Sequence, residues 1–189
     1  MPNWCNNSIT ITGPKDQIKS LWESAQTAAE GSFGLLNAMV PMPQELEGTT
    51  SPSDTPNWYD WRVSNWGTKW DIDDTGLEFE DNGDGTASIT GWFDSAWSPP
   101  IDAYNTFLEE NKEVELYATY EEGGMDFAGV YDNGADDYME GITDWSLAVL
   151  KGTCSLEDTP ELFRKLDQEM DLVESRAYLL DDEEEEIAQ

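Results

Sequence analysis

Six residues have the types and spacing to build one binding site: Trp4, Asn6, Trp66, Lys69, Trp70 and Trp97. Trp66 and Trp70 stand four apart in Asn65-Trp66-Gly67-Thr68-Lys69-Trp70-Asp71, and Trp97 sits in Phe93-Asp94-Ser95-Ala96-Trp97-Ser98-Pro99-Pro100. Both stretches are too aromatic for plain loops and too rich in glycine or proline for element interiors. Indole faces beside an amide and an ammonium suit a nucleotide, a sugar or a peptide. The same residues equally describe an aromatic mini-core that closes one side of a sheet, with Lys69 in a cation–π contact and paired to Asp71.

A second group is acidic: Glu109, Glu110, Glu113, Glu115, Glu121, Glu122, Asp126, Asp132, Asp136, Asp137, Glu140 and Asp144, met by a single base, Lys112. Carboxylates held in rows on a scaffold resemble the regular negative charge of a nucleic acid, about one per 1.7 Å of duplex axis. Such a surface also steers basic partners. The bland alternative is a solvated, aggregation-resistant surface.

Other chemistry is poorly provided for. Histidine is absent, so Ser-His-Asp and Cys-His sites cannot be built. Cys5 and Cys154 are far apart in sequence and fit no zinc pattern. Glu80-Asp81-Asn82-Gly83-Asp84-Gly85 starts like a calcium loop, but Gly91 stands where the bidentate glutamate belongs, and a hairpin turn explains the same residues. With 41 acidic residues, some carboxylate pair will meet a glycosidase spacing by chance. The expectation is a non-catalytic binding protein with no metal and no cofactor.

Net charge is −32, and it is lopsided. Residues 1–70 carry seven acids and four bases, whereas residues 71–189 carry 34 acids against five bases. Direct binding to nucleic acid or to an anionic membrane is excluded on Coulombic grounds, and a basic partner is favoured. No apolar run is long enough to span a bilayer and no leader pattern opens the chain, so a reducing cytoplasm is the expected compartment.

These groups need elements to position them. Ser8–Thr12 alternates as a half-buried strand, and Ile18, Leu21, Trp22 and Ala25 mark a helix over Lys15–Ala29. Phe33–Met42 is an apolar connector, Glu45–Asn57 an exposed loop, and Trp58–Val63 either an edge strand or a helix. Gly76–Glu80 and Thr86–Phe93 form a hairpin. Ser98 and Pro99 open a helix carried by Ile101, Tyr104, Phe107 and Leu108. Val114–Tyr120 and Asp126–Tyr131 are further strands. Asn133–Gly141 has the composition of a polar loop, and Trp145–Leu150 fits strand or helix. Ser155–Asp158 has capping-box form. It precedes a helix face of Leu162, Leu166, Met170, Val173, Ala177 and Leu180, a seam that would serve the sheet or a second copy of the chain. Asp181–Glu186 is an acidic run.

The expected fold class is α+β: a ferredoxin-like βαββαβ antiparallel sheet with helices on one face, one added strand and an acidic C-terminal helical extension. Residues 1–131 form the ferredoxin-like domain and 132–189 the extension. Met1-Pro2-Asn3-Trp4-Cys5-Asn6-Asn7, Asn65–Asp71, Phe93–Pro100 and Phe127-Ala128-Gly129-Val130-Tyr131 occur in the same order as in the YubB-type ferredoxin-like domain family of plasmids and bacteriophages, which the chain resembles over 1–131. The resemblance implies that fold and a mobile-element setting, and no reaction. Joined to the charge, it points to a phage-type nucleic-acid mimic that occludes a basic, nucleic-acid-binding host protein, such as a defence nuclease or the transcription machinery.

Overall fold

The computed structural model describes residues 3–27 and 33–180. The strand alternation extends beyond Ser8–Thr12 in both directions, and β1 runs Trp4–Pro14 with Cys5, Asn7, Ile9 and Ile11 turned inward. Helix α1 (Lys15–Ala25) buries Ile18, Leu21 and Ala25; it stops short of the expected end, with Gln26 and Thr27 in a turn, and residues 28 and 29 fall outside the described residues. The apolar connector folds as a short helix, α2 (Leu35–Met39), whose Leu35, Leu36 and Met39 are all buried. At Trp58–Val63 a helix forms. Asn57 caps α3 (Trp58–Trp66) by accepting the Asp60 N–H at 3.0 Å, a side-chain bond that satisfies a donor the first helical turn leaves unpaired.

Strands β2 (Leu77–Asp81) and β3 (Thr86–Ala96) make the hairpin, and α4 (Ile101–Glu110) leads to β4 (Glu115–Glu122) and β5 (Phe127–Asp132). Ser98 does not cap α4: the helix begins after Pro100, and the Ser98 hydroxyl donates to the Gly67 carbonyl at 2.6 Å. The segment expected to be a polar loop is instead a sixth strand, β6 (Ala135–Glu140). Asn133 and Gly134 adopt positive φ values of 49° and 98°, the two-residue turn that joins antiparallel strands, and that dipeptide outweighs the acidity around it. Two strands are therefore added where one was expected.

Among the described residues six strands form one antiparallel sheet in the order β2-β3-β1-β4-β5-β6. Consecutive strand residues point to opposite faces. Ile9, Ile11, Ile89, Leu116, Ala118 and Tyr131 face the core shared with α1, α2 and α4. Ala128 and Val130 face the other way, onto α5 (Ile142–Leu150), α6 (Glu161–Met170) and α7 (Leu172–Ser175). Among the described residues, the helices of the first part of the chain (α1, α2 and α4) thus share one face, as expected, and those of the C-terminal extension cover part of the other. The reason is the β4–β6 half of the sheet: its second face carries Tyr117, Ala128, Val130 and Met139, apolar surface that must be covered.

The C-terminal seam does that covering. Phe163, Leu166 and Leu172 are fully buried on the sheet, with Leu162, Met170 and Val173 packed around them. Burying each large apolar side chain contributes about 1.5–3 kcal/mol. The seam does not form one continuous helix, because Asp171 takes a left-handed conformation (φ 52°) and separates α6 from α7. Nor does Ser155 open α6; Ser155 and Asp158 bond to each other across a single 3₁₀ turn, and α6 starts after Pro160. The β2-β3-β1 half of the second face is bare and polar, presenting Asn6, Ser8, Thr10, Thr90 and Trp92. Among the described residues no helix is long and apolar enough to cross a membrane. Asp181–Glu186 lies outside the described residues.

Candidate functional site: an exposed tryptophan face

The two aromatic stretches are stitched together. Thr68 Oγ1 lies 3.0 Å from the Ala96 carbonyl, to which it donates, and accepts the Ala96 N–H at 3.1 Å. Ser95 Oγ donates to the Ser98 carbonyl at 2.7 Å. Inside them, the buried Asn7 amide donates to the Cys5 carbonyl at 2.8 Å and to Ser95 Oγ at 2.9 Å. Gly67 ends α3 in a left-handed conformation (φ 82°), which turns the chain from the helix towards β3. The aromatic side chains that follow are thus held by the backbone of three elements.

Not all of the predicted pocket meets. Trp66 is fully buried, its indole N–H donating to the Val40 carbonyl at 2.9 Å, and it belongs to the core rather than to any pocket. Arg62 lies over its ring at 4.8 Å and over Trp58 at 5.2 Å. Burial lowers the pKa of that guanidinium, with Asp71 acting in opposition. Asn6 stands on the bare sheet face, donating to Asp94 at 2.6 Å.

The other predicted members do gather. Trp4 and Trp70 pack together with ring centroids 5.6 Å apart and planes tilted by 37°. Lys69 Nζ sits 4.5 Å from the Trp70 ring centre, 5.5 Å from Trp97 and 5.8 Å from Tyr59, a small aromatic cage closed by the chain's own ammonium. Trp97, just past the end of β3, takes a positive φ of 70° while its N–H donates to the Asn3 carbonyl at 2.9 Å. A cleft of about 400 Å³ opens beside the Trp4–Trp70 pair, walled further by Trp92, Asp73 and Asp94. Exposure decides how this surface is used: Trp4 is 47% exposed, Trp70 36%, Trp92 61% and Trp97 40%. Side chains that large normally bury most of their area. Trp92 and Tyr59 were not singled out from sequence; the alternation of β3, with Trp92 opposite Ser8 on the outward face, is the signal that finds the first.

Asp71 both lines the cleft and anchors it. Its carboxylate accepts the N–H groups of Leu36 at 2.7 Å, Asn37 at 3.0 Å and Ile72 at 2.8 Å. It does not bridge to Lys69, whose ammonium is taken by the rings. Burial raises the Asp71 pKa against the pull of those amides and of Arg62. An acid whose folded pKa lies above its unfolded value contributes most below the unfolded value, and loses that contribution as pH rises through the folded one. Relative to Asp71→Asn, the wild-type protein is therefore expected to gain stability as pH is lowered from about 7 to about 4. Urea midpoints of both proteins across that range check it, and a constant difference contradicts it.

The acidic set divides by role. Glu122 is buried and accepts the N–H groups of Gly124 and Met125 at 2.8 and 2.6 Å, so it shapes the β4–β5 turn and is removed from the predicted surface. Glu121 pairs with the buried Arg176. Asp126 accepts from the Thr143 N–H and hydroxyl at 2.9 and 2.7 Å and so caps α5. Asp136 accepts the Tyr120 hydroxyl at 2.6 Å. Glu109, Glu110, Glu113, Glu115, Asp132, Asp137, Glu140 and Asp144 are exposed. They sit on α4, β4, β5, β6, α5 and the α4–β4 junction, at both ends of the strands rather than in one row. Cys5, buried near Glu121 and Glu122, has its thiol pKa pushed up to about 12, chiefly by burial, which makes it a poor nucleophile.

What these elements define is an α+β protein with an open six-stranded antiparallel sheet and an aromatic surface at one end of it. No family model and no curated protein matches the chain. Among solved structures it is similar to the crystal structure of a protein api92 from Yersinia pseudotuberculosis (family-model DUF1281), at 18% identity and a TM-score of 0.35, over 56% of this chain and 38% of that one. The chain thus spans well under half of that protein's length, and a likeness so distant informs neither fold nor function.

Proposed function

We propose that this is a non-catalytic binding protein for a basic protein partner, with the tryptophan face as its contact surface and its carboxylate excess as long-range steering. The observation that carries the reading is the convergence of the exposed Trp4, Trp70 and Trp92 around one cleft, with the exposed Trp97 joined to Trp70 through the Lys69 ammonium. Aromatic anchors of this kind dominate protein interfaces. Asp73 and Asp94 on the rim favour a cation, and Lys69 already demonstrates that these rings accept one.

We further read the β2-β3-β1-β4 portion with α1 and α4 as a ferredoxin-like unit of the YubB type, extended by β5 and β6. The setting is then a phage or plasmid protein working in a host cytoplasm. In this finer reading the partner is a basic, nucleic-acid-binding host protein, and its nucleic-acid site is occluded without turnover. What supports it is that the exposed carboxylates are carried on regular elements of the fold, although spread over both ends of the strands and not set in one row.

The test is a tryptophan-fluorescence titration with a short arginine-rich peptide. Affinity is expected to fall steeply as salt rises from about 50 to about 500 mM, where the screening length shrinks to a few Å. Trp92→Ala and Trp97→Ala are each expected to weaken binding about tenfold, net charge being unchanged. Unaltered affinity in both variants overturns the tryptophan face. Mimicry is read separately with a basic DNA-binding protein as probe: displacement of its duplex supports occlusion, and a ternary complex refutes it.

A further inference from the structure

We infer that a second cleft, between the first turn of α4 and the end of the sheet formed by β4, β5 and β6, binds a small aliphatic polyammonium ligand. It has a volume of about 450 Å³, within the range of small-molecule sites. Tyr120, Phe127 and Tyr138 supply its aromatic walls, and Asp102, Asp136 and Glu140 supply carboxylates from both sides. No lysine or arginine lines it.

Each feature selects the same chemistry. Aromatic faces attract ammonium groups and offer nothing to a hard metal ion, which demands oxygen ligands. Among the described residues no three acidic, cysteine or histidine side chains approach closely enough to hold a metal. Carboxylates too dispersed for one ion suit a flexible cation whose charges are separated along an alkyl chain. The walls are also pre-positioned. Tyr120 packs edge-on against Phe127 at 6.2 Å, and its hydroxyl holds Asp136 at 2.6 Å. Tyr138, on the edge strand, is 59% exposed and leaves apolar surface for a bound alkyl chain to cover.

This site does not depend on the tryptophan face, and its test separates the two. Calorimetric titration with spermidine at low salt is expected to give one saturable site that persists in excess magnesium. Tyr138→Ala and Glu140→Gln are each expected to weaken it about tenfold. Glu78→Gln on β2, which removes the same charge elsewhere, and Trp92→Ala are expected to leave it unchanged. Equal weakening by Glu78→Gln and Glu140→Gln, or complete displacement by magnesium, would reduce the effect to counterion attraction and overturn the proposal, as would full affinity in Tyr138→Ala. Circular dichroism of each variant confirms the fold, and Tyr138 and Glu140, both exposed, can be replaced without opening a core cavity.

Discussion

Trp66→Ala is expected to lower the stability of the protein by about 3–5 kcal/mol, the cost of deleting a large core aromatic and leaving a cavity. Its indole is fully buried among Trp61, Val40 and the α4 side of the core, and the Val40 carbonyl loses its donor as well. The same truncation at Trp92, which is 61% exposed, is expected to cost less than about 1 kcal/mol. Urea unfolding of the two variants, followed by far-ultraviolet circular dichroism, measures both. The contrast matters functionally. If Trp92→Ala lost as much stability as Trp66→Ala, the outward tryptophans would be structural, and their proposed role in binding would lose its basis.

Gly91→Ala is expected to be at least as damaging, at about 3 kcal/mol or more, for a different reason. Gly91 has a φ of 144°, a conformation side-chain-bearing residues rarely adopt, and an added Cβ would lie 2.0 Å from the Gly76 carbonyl oxygen. That neighbour is backbone, so it cannot rotate away. Relief requires breaking the Gly91–Leu77 pairing and the bond from the Trp92 N–H to the Gly76 carbonyl, at 3.0 Å. β2 would then detach and expose Leu77. Because Gly76 and Trp92 wall the first cleft, binding to that face should fall with the strand. A variant with native stability and an intact hairpin would refute the close approach.

Periodicity and turn chemistry made much of this molecule legible from its residues. The alternation of Ile9 and Ile11, the helical spacing of Ile18, Leu21 and Ala25, and the turn at 82–85 each specify a local conformation through short-range sterics and burial. The Asn133–Gly134 pair specified β6 just as locally; the acidity of Asp136, Asp137 and Glu140 obscured it, since composition argues for a loop where dihedral preference demands a hairpin. A helix face is equally readable for Leu162, Leu166 and Met170, and the break at Asp171 is not, because it depends on where the chain must turn to lay Leu172 on the sheet.

Residue types alone also determined that catalysis by histidine is impossible, that any macromolecular partner must tolerate a charge of −32, and that tryptophan would dominate some surface or core. Which tryptophan does which was decided only by the tertiary structure. Trp66 and Trp70 are four residues apart, yet Gly67 reverses the chain between them, sending one ring into the interior and the other into solvent beside Trp4. Likewise Glu121 and Glu122 are neighbours, one paired with an arginine fifty-five positions away and the other folded back onto its own turn. Charge and aromaticity are properties of single residues. Burial and partnership belong to pairs brought together across the sheet, and only the folded chain specifies those.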